Sequence, residues 1–166
     1  MSLRKKPWNR VNLPVYSASS TDGSGNHNMH IITYASQISM QPKQFICGIY
    51  YGTKTLENID VHNKFVLQVL AKEQYVLVNM LGKKSGNTTN KMAYLQKRGL
   101  IKAWKNYQVL KDALALIELE ALPVILPATK KPDHKIFLCN VLDYKNLNEG
   151  TPLTLDVLRE KKLIRI

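Results

Sequence analysis

The sequence predicts a mainly β domain, strands with a few short helices, built as an antiparallel barrel. Three observations carry that expectation. Several short runs are rich in β-branched and aromatic residues and lack helical spacing. The helical segments are few, short and not in regular alternation with the strands, which argues against a doubly wound parallel sheet. The glycine fingerprint of such a sheet is also missing. With 166 residues, 45% hydrophobic and 22% charged, the chain suits one domain able to bury a core. We therefore expect a single unit over 1–166, with 1–8 a flexible N-terminal segment.

Taken in order, VNLPVYSA at 11–18 reads as the first strand, and SSTDGSGN at 19–26 as a turn, because Ser, Asp, Gly and Asn favour turn geometry. HNMHIITY at 27–34 and QFICGIYY at 44–51 are strand-like, with ASQISMQP between them a polar, proline-ended loop. KTLENIDVH at 54–62 suits a short helix, and FVLQVLA at 65–71 a buried strand. EQYVLVNML at 73–81 and NKMAYLQKR at 90–98 read as helices, with Gly99 placed for a C-cap. DALALIELEAL at 112–122 alternates, so Ala115, Ile117, Leu119 and Ala121 share one face and Glu118 and Glu120 the other. DHKIFLCNVLDYK at 133–145 is a further strand, and TPLTLDVLREKK at 151–162 a last helix.

Bulk properties restrict the partners. The longest apolar run, ALPVILPA, is too short to cross a bilayer and carries two prolines. The basic N-terminus has no apolar segment after it, unlike a secretory signal, so we expect a cytoplasmic protein without membrane attachment. Cys47 and Cys139 each lie in an apolar run and read as reduced core thiols. The formal charge of +12 favours an anionic ligand, but the lysines are dispersed along the chain instead of forming a nucleic-acid-binding block.

The chemistry-bearing residues are few. Gly52, Thr53, Lys54 and Thr55 stand between a strand and a helix, where free helix N–H groups, hydroxyls and an ammonium suit a phosphate; plain N-capping is the alternative use of the threonines. LGKKSGNTTNK at 81–91 resembles a nucleotide-binding loop only superficially, since Leu77 occupies the first glycine position and Lys84 the Ser/Thr position. It remains a hydrogen-bonding loop. His27 and His30 leave opposite faces of one strand and make no metal site. His134 opens a strand at a barrel mouth. No nucleophile–base set or carboxylate pair has recognisable spacing, so hard chemistry would belong to a cofactor.

Taken together, NLPVYSASSTDGSGNHN, ITYASQISMQP, IYYGTKTLENI, KFVLQVLAKEQ, GKKSGNTTNKM, DALALIELE and DHKIFLCNVLDYK resemble, in order and spacing, the flavin-reductase-like family, over about Asn9 to Tyr144. The resemblance implies a Greek-key split β-barrel that binds FMN and forms a homodimer with the flavin near the interface. It implies Asn28, Tyr34, Ala35, Ser36 and Gln37 along the isoalloxazine and ribityl chain, and Thr53, Lys54 and Thr55 at the phosphate. Ser85 and Lys91 would come from the loop that closes over the cofactor, and His134 would position a nicotinamide. The implied activity is an FMN-dependent oxidoreductase: an NAD(P)H:flavin reductase, using NADH or NADPH and releasing free flavin, or a flavoredoxin-like carrier serving an electron-transfer partner protein.

Three positions depart from the family pattern: Pro132 where a glycine is expected, Met92 in place of phenylalanine, and Cys139 in place of glycine. Pro132 stiffens the loop beside the implied nicotinamide site, which leaves the donor open. Two other readings stay open: a non-catalytic FMN-binding or sensor protein with the same pocket, and a basic single-strand nucleic-acid binder using Tyr34, Tyr50 and Tyr51 as stacking platforms.

Overall fold

The computed structural model describes residues 6–127 and 130–165. The strands are β1 (Tyr16–Thr21), β2 (His27–Ile32), β3 (Ala35–Met40), β4 (Lys43–Tyr50), β5 (Lys64–Val69), β6 (Ile101–Trp104), β7 (Tyr107–Leu110), β8 (Ala115–Pro123) and β9 (His134–Asn146). The helices are α1 (Lys54–Val61), α2 (Val78–Gly82), α3 (Lys91–Lys97) and α4 (Leu155–Glu160).

Seven strands form one antiparallel sheet in the order β2-β1-β5-β8-β9-β4-β3. Its two edge strands, β2 and β3, are consecutive in the chain and joined only by Thr33 and Tyr34. A link that short spans roughly 10 Å at most, so the sheet must curl until its edges meet. The edges share no ladder, and the Gly48 N–H to Tyr34 carbonyl bond of 2.8 Å extends the β3–β4 pairing by one residue into the link. The result is a barrel with a seam, the split barrel that the resemblance implied.

Apolar residues divide between the two faces of this sheet. Phe65 and Leu67 of β5 point into the barrel with Ala18, Cys47, Ile49, Leu119, Phe137 and Cys139. Val66 and Leu70 point the other way, under Leu77, Leu81, Leu95, Val109 and Leu158. A strand covered on both sides reads as the continuous run FVLQVL. The alternation expected of 115–121 holds, with Leu119 and Ala121 in the barrel and Leu116 in the outer core. α1 closes one end of the barrel through Leu56 and Ile59, three residues apart on one face. Cys47 and Cys139 are both free and buried.

Several elements differ from the expectations. The segment ASQISMQP is not a loop: Ala35–Met40 is the edge strand β3, paired along one side only. Its polar residues face water, so it lacks the apolar signal of a buried strand. The first strand is shifted, because 19–21 are strand and not turn. There Ser17, Ser19 and Ser20 are buried and satisfied: Gln68 Nε2 donates to Ser17 Oγ, Ser19 Oγ to the Gln108 carbonyl, and Asn58 Nδ2 to Ser20 Oγ. Lys72–Leu77 is a 3₁₀ helix that passes into α2. The hairpin β6–β7, in the segment left unassigned, turns at Lys105 with φ of 50°.

Residues 1–5 of the N-terminal segment 1–8 lie outside the described residues. Pro7–Arg10 form a 3₁₀ turn, whose Asn9 carbonyl accepts from Arg159. No helix among the described residues is long and apolar enough to cross a membrane.

Candidate functional site

The site lies on the seam. β4 ends at Tyr50, the turn Tyr51–Gly52 follows, and Gly52 takes φ of 78°, a left-handed conformation that a side chain would strain. The turn aims the chain into α1. Thr53 is the N-cap: its hydroxyl donates to the Tyr50 carbonyl at 2.8 Å and accepts from the Leu56 N–H at 3.3 Å. The first-turn N–H groups of Lys54 and Thr55 therefore remain available for an anion. Thr55 is fully buried, and its Oγ accepts from Asn28 Nδ2 at 2.9 Å, which leaves the hydroxyl hydrogen free to donate.

A cleft of about 510 Å³ opens over this helix end. Its walls come from β2 (Asn28, His30, Ile32), the link (Thr33, Tyr34), β4 (Gly48, Tyr50), the first turn of α1, the loop after α2 (Lys83–Gly86), Lys91 and His134. Four lysines line it, 54, 83, 84 and 91, and no carboxylate does so among the described residues. This is where the dispersed charge of the sequence becomes local.

Lys91 is buried, and its Nζ donates to the carbonyls of Leu81 at 2.7 Å and Met29 at 3.2 Å. It pins α3 to β2 and α2 with no carboxylate partner, and burial pushes its pKa down to about 8. One N–H remains for a ligand. His30, next to it in the wall, is held down to about 4 by burial first and then by the charges of Lys91 and His134. It is neutral at pH 7, and its buried Nδ1 has no partner.

At the outer rim His134 Nδ1 donates to Asp133 Oδ1 at 2.6 Å, and this contact holds the Asp133 carboxyl below its usual range. The imidazole lies edge-on to Tyr34 and Tyr50, with ring centroids 4.8 and 5.1 Å away. Gly48 lies beneath this aromatic contact: a β-carbon there would sit 3.4 Å from Tyr34 Cβ and 3.5 Å from His134 Cβ.

The loop 83–90 crosses the mouth as a strap. Asn87 Nδ2 donates to Glu57 Oε1 at 3.0 Å and reaches the Gly52 carbonyl at 3.5 Å. Gly86 lies so close that any β-carbon would collide with Asn28 Oδ1 and approach Lys54 Cβ to 3.0 Å. Behind the strap is a second, more open hollow of about 900 Å³, which shares Asn28, Lys54, Gly86 and Lys91 with the cleft.

Of the residues named from sequence, the fold brings Asn28, Tyr34, Thr53, Lys54, Thr55, Ser85, Lys91 and His134 to this one cleft. Ala35 and Ser36 lie beyond Tyr34, in an adjoining apolar hollow of about 460 Å³ with Ile46, Pro132 and Ile136. Gln37 lines neither; it is exposed on β3, its amide 3.5 Å from the Ser39 carbonyl. The edge strand carries these residues away from the helix end. His30, Gly48 and Glu57 carry no such assignment from sequence, whereas Gly86 and Asn87 belong to the loop expected to hydrogen-bond a ligand, and Tyr50 is named there only as a nucleic-acid stacking platform. The period-two spacing of Asn28 and His30 already placed both on one face.

A helix end with uncapped N–H groups, a cluster of four lysines and an aromatic rim thus meet on one split-barrel seam. The family model described as "Flavin reductase like domain" matches residues 8–159, and the chain belongs to that family. It is accordingly an oxidoreductase of the flavin reductase type. No match to a curated protein was found. Among solved structures, the flavin reductase PheA2 is similar at 22% identity and a TM-score of 0.67, over 87% of this chain and 85% of that one. Flavoredoxin from Methanosarcina acetivorans aligns at 14% identity and a TM-score of 0.69, over 92% and 78%. An FMN-binding protein from Thermus thermophilus, solved with bound 1-cyclohex-2-enone, aligns at 18% and 0.69, over 88% and 77%. At these identities the likeness is one of fold.

Proposed function

We propose that the cleft binds FMN and that the protein is an FMN-dependent oxidoreductase, an NAD(P)H:flavin reductase or a flavoredoxin-like electron carrier. One observation carries the reading: free N–H groups of α1, Lys54, Lys91 and the aromatic rim of Tyr34, Tyr50 and His134 all line one cleft that no carboxylate lines among the described residues. The donor set fits the group. A phosphate needs the helix end and cations, ribityl hydroxyls need partners such as Asn28 and Ser85, and the orphaned His30 Nδ1 asks for a polar neighbour in the wall.

Bound FMN supplies the two-electron redox chemistry. The chain's residues bind, orient and shield. Lys54, Thr55 and the first-turn N–H groups hold the phosphate end. Lys91, kept in place by two carbonyls, sets a positive charge in the wall, where it favours a ligand that gains negative charge. His30 stays neutral and adds none. Asp133 fixes the His134 ring, so that His134 with Tyr34 and Tyr50 forms the rim against which a nicotinamide is positioned. Pro132, next to Asp133, stiffens that rim.

The apolar row Ile46, Leu138 and Leu122 runs across adjacent strands beside the rim, and Ile46 and Leu122 are exposed. We read this face as the homodimer contact; light scattering on Ile46→Glu should give a monomer if it is.

The deciding experiment is an anaerobic titration of FMN-loaded protein with NADH and with NADPH. Flavin uptake followed by bleaching with either donor supports a reductase. Uptake without bleaching leaves the carrier or a passive FMN-binding protein. Folded protein that takes up no FMN overturns the reading.

A further inference from the structure

Glu57 is the one carboxylate, among the described residues, that touches a cation of the cleft. In the first turn of α1, its Oε2 lies 3.3 Å from Lys54 Nζ while its Oε1 accepts from Asn87 Nδ2 at 3.0 Å. Among the described residues, Lys83, Lys84 and Lys91 have no carboxylate within ion-pair distance. One acidic group thus occupies the cation at the helix end and also anchors the strap that crosses it.

We propose that Glu57 competes with the ligand phosphate for Lys54, so that a phosphorylated flavin is held as an exchanging ligand and not locked in place. This rests on the FMN reading of the cleft. A phosphate arriving at the first-turn N–H groups of α1 must draw Lys54 Nζ away from Glu57, and the carboxylate then stands next to a dianion. The like-charge repulsion raises the cost of the occupied state and favours release. The strap remains anchored, because the Glu57–Asn87 hydrogen bond uses the other carboxylate oxygen. A ligand without phosphate leaves the Lys54–Glu57 pair intact and feels none of this.

The test compares FMN with riboflavin on the full chain. Glu57→Gln keeps an acceptor for Asn87 and removes only the charge. Its FMN affinity should rise about two- to fivefold, the range expected for an exposed ion pair, and FMN should dissociate more slowly, while riboflavin affinity stays at the wild-type value. Asn87→Ala frees the strap without changing charge and should not tighten FMN. The proposal is overturned if Glu57→Gln leaves FMN binding unchanged or weaker, if it tightens riboflavin equally, or if Asn87→Ala tightens FMN as much. Wild-type protein that binds no FMN would remove the functional reading itself. Wild-type binding without the Glu57 effect removes only this inference.

Discussion

The two edges of the sheet do opposite things. β2 is an edge strand with no exposed residue, and it lends Asn28 and His30 to the cleft and a main-chain carbonyl to Lys91. β3, at the other edge, pairs only with β4 and leaves Ile38 and Met40 in water, Met40 82% exposed. Both have an unpaired side, which by itself invites association with other strands. At β2 that side is covered by α2, α3 and the strap, and the covering elements become the site. An edge strand is thus either a liability to be tolerated or a wall to be built upon, and this molecule does both with neighbouring segments of one chain.

The contrast can be broken most severely at Lys91. Lys91→Met leaves the Met29 and Leu81 carbonyls without their donor; bare buried acceptors cost about 1–3 kcal/mol, and loss of the cation should weaken FMN tenfold or more. Urea unfolding and flavin titration read both effects. The wild-type amine also has a pH signature. Its folded pKa is about 8 against an ordinary 10.5, so the unfolded chain binds the extra proton between those values, and stability should rise with pH across that window. Lys91→Met should flatten the rise.

His30 sharpens the comparison at acid pH. Its folded pKa of about 4 lies below the ordinary 6.5, so stability present above pH 6.5 is lost as the pH falls toward 4. With its partial exposure discounted, the loss should be about 1–3 kcal/mol. His30→Gln should remove that part of the slope in unfolding curves taken at pH 7 and 4.5. Gly86→Ala sets a β-carbon against Asn28 and should cost about 1–2 kcal/mol as the strap lifts, with a several-fold loss of FMN affinity. On the bare edge, Met40→Lys should change stability by no more than about 0.5 kcal/mol and leave flavin binding alone. A larger effect would show that β3 is covered in solution.

The same contrast explains what the sequence could reveal. The buried strand β5 and the core-facing stretches of β8 and β9 are readable because apolar alternation or apolar runs leave a mark that survives without structure. β3 was read as a loop because nothing covers it: its Ser36, Gln37 and Ser39 carry no burial signal, and only the partner strand β4 makes it a strand. The hydroxyl-rich end of β1 misled for a related reason, since Ser19 and Ser20 are buried by hydrogen bonds and not by hydrophobicity. In the cleft, Thr53, Lys54 and Thr55 stand at the strand-to-helix junction that the sequence marks, where Thr53 serves as the N-cap, and the phosphate role comes from the resemblance. Glu57 and Asn87 could not be paired from sequence, because their hydrogen bond joins α1 to a loop 30 residues further on, and His30, though it shares a face with Asn28, meets Lys91 only in the fold.

That seam has a consequence for how the cleft responds to heat. Its width is set by a covalent tether, Thr33 and Tyr34, where an ordinary sheet would rely on rungs of main-chain bonding. Such a tether does not fray by degrees. The pocket should therefore keep its dimensions until the barrel as a whole gives way.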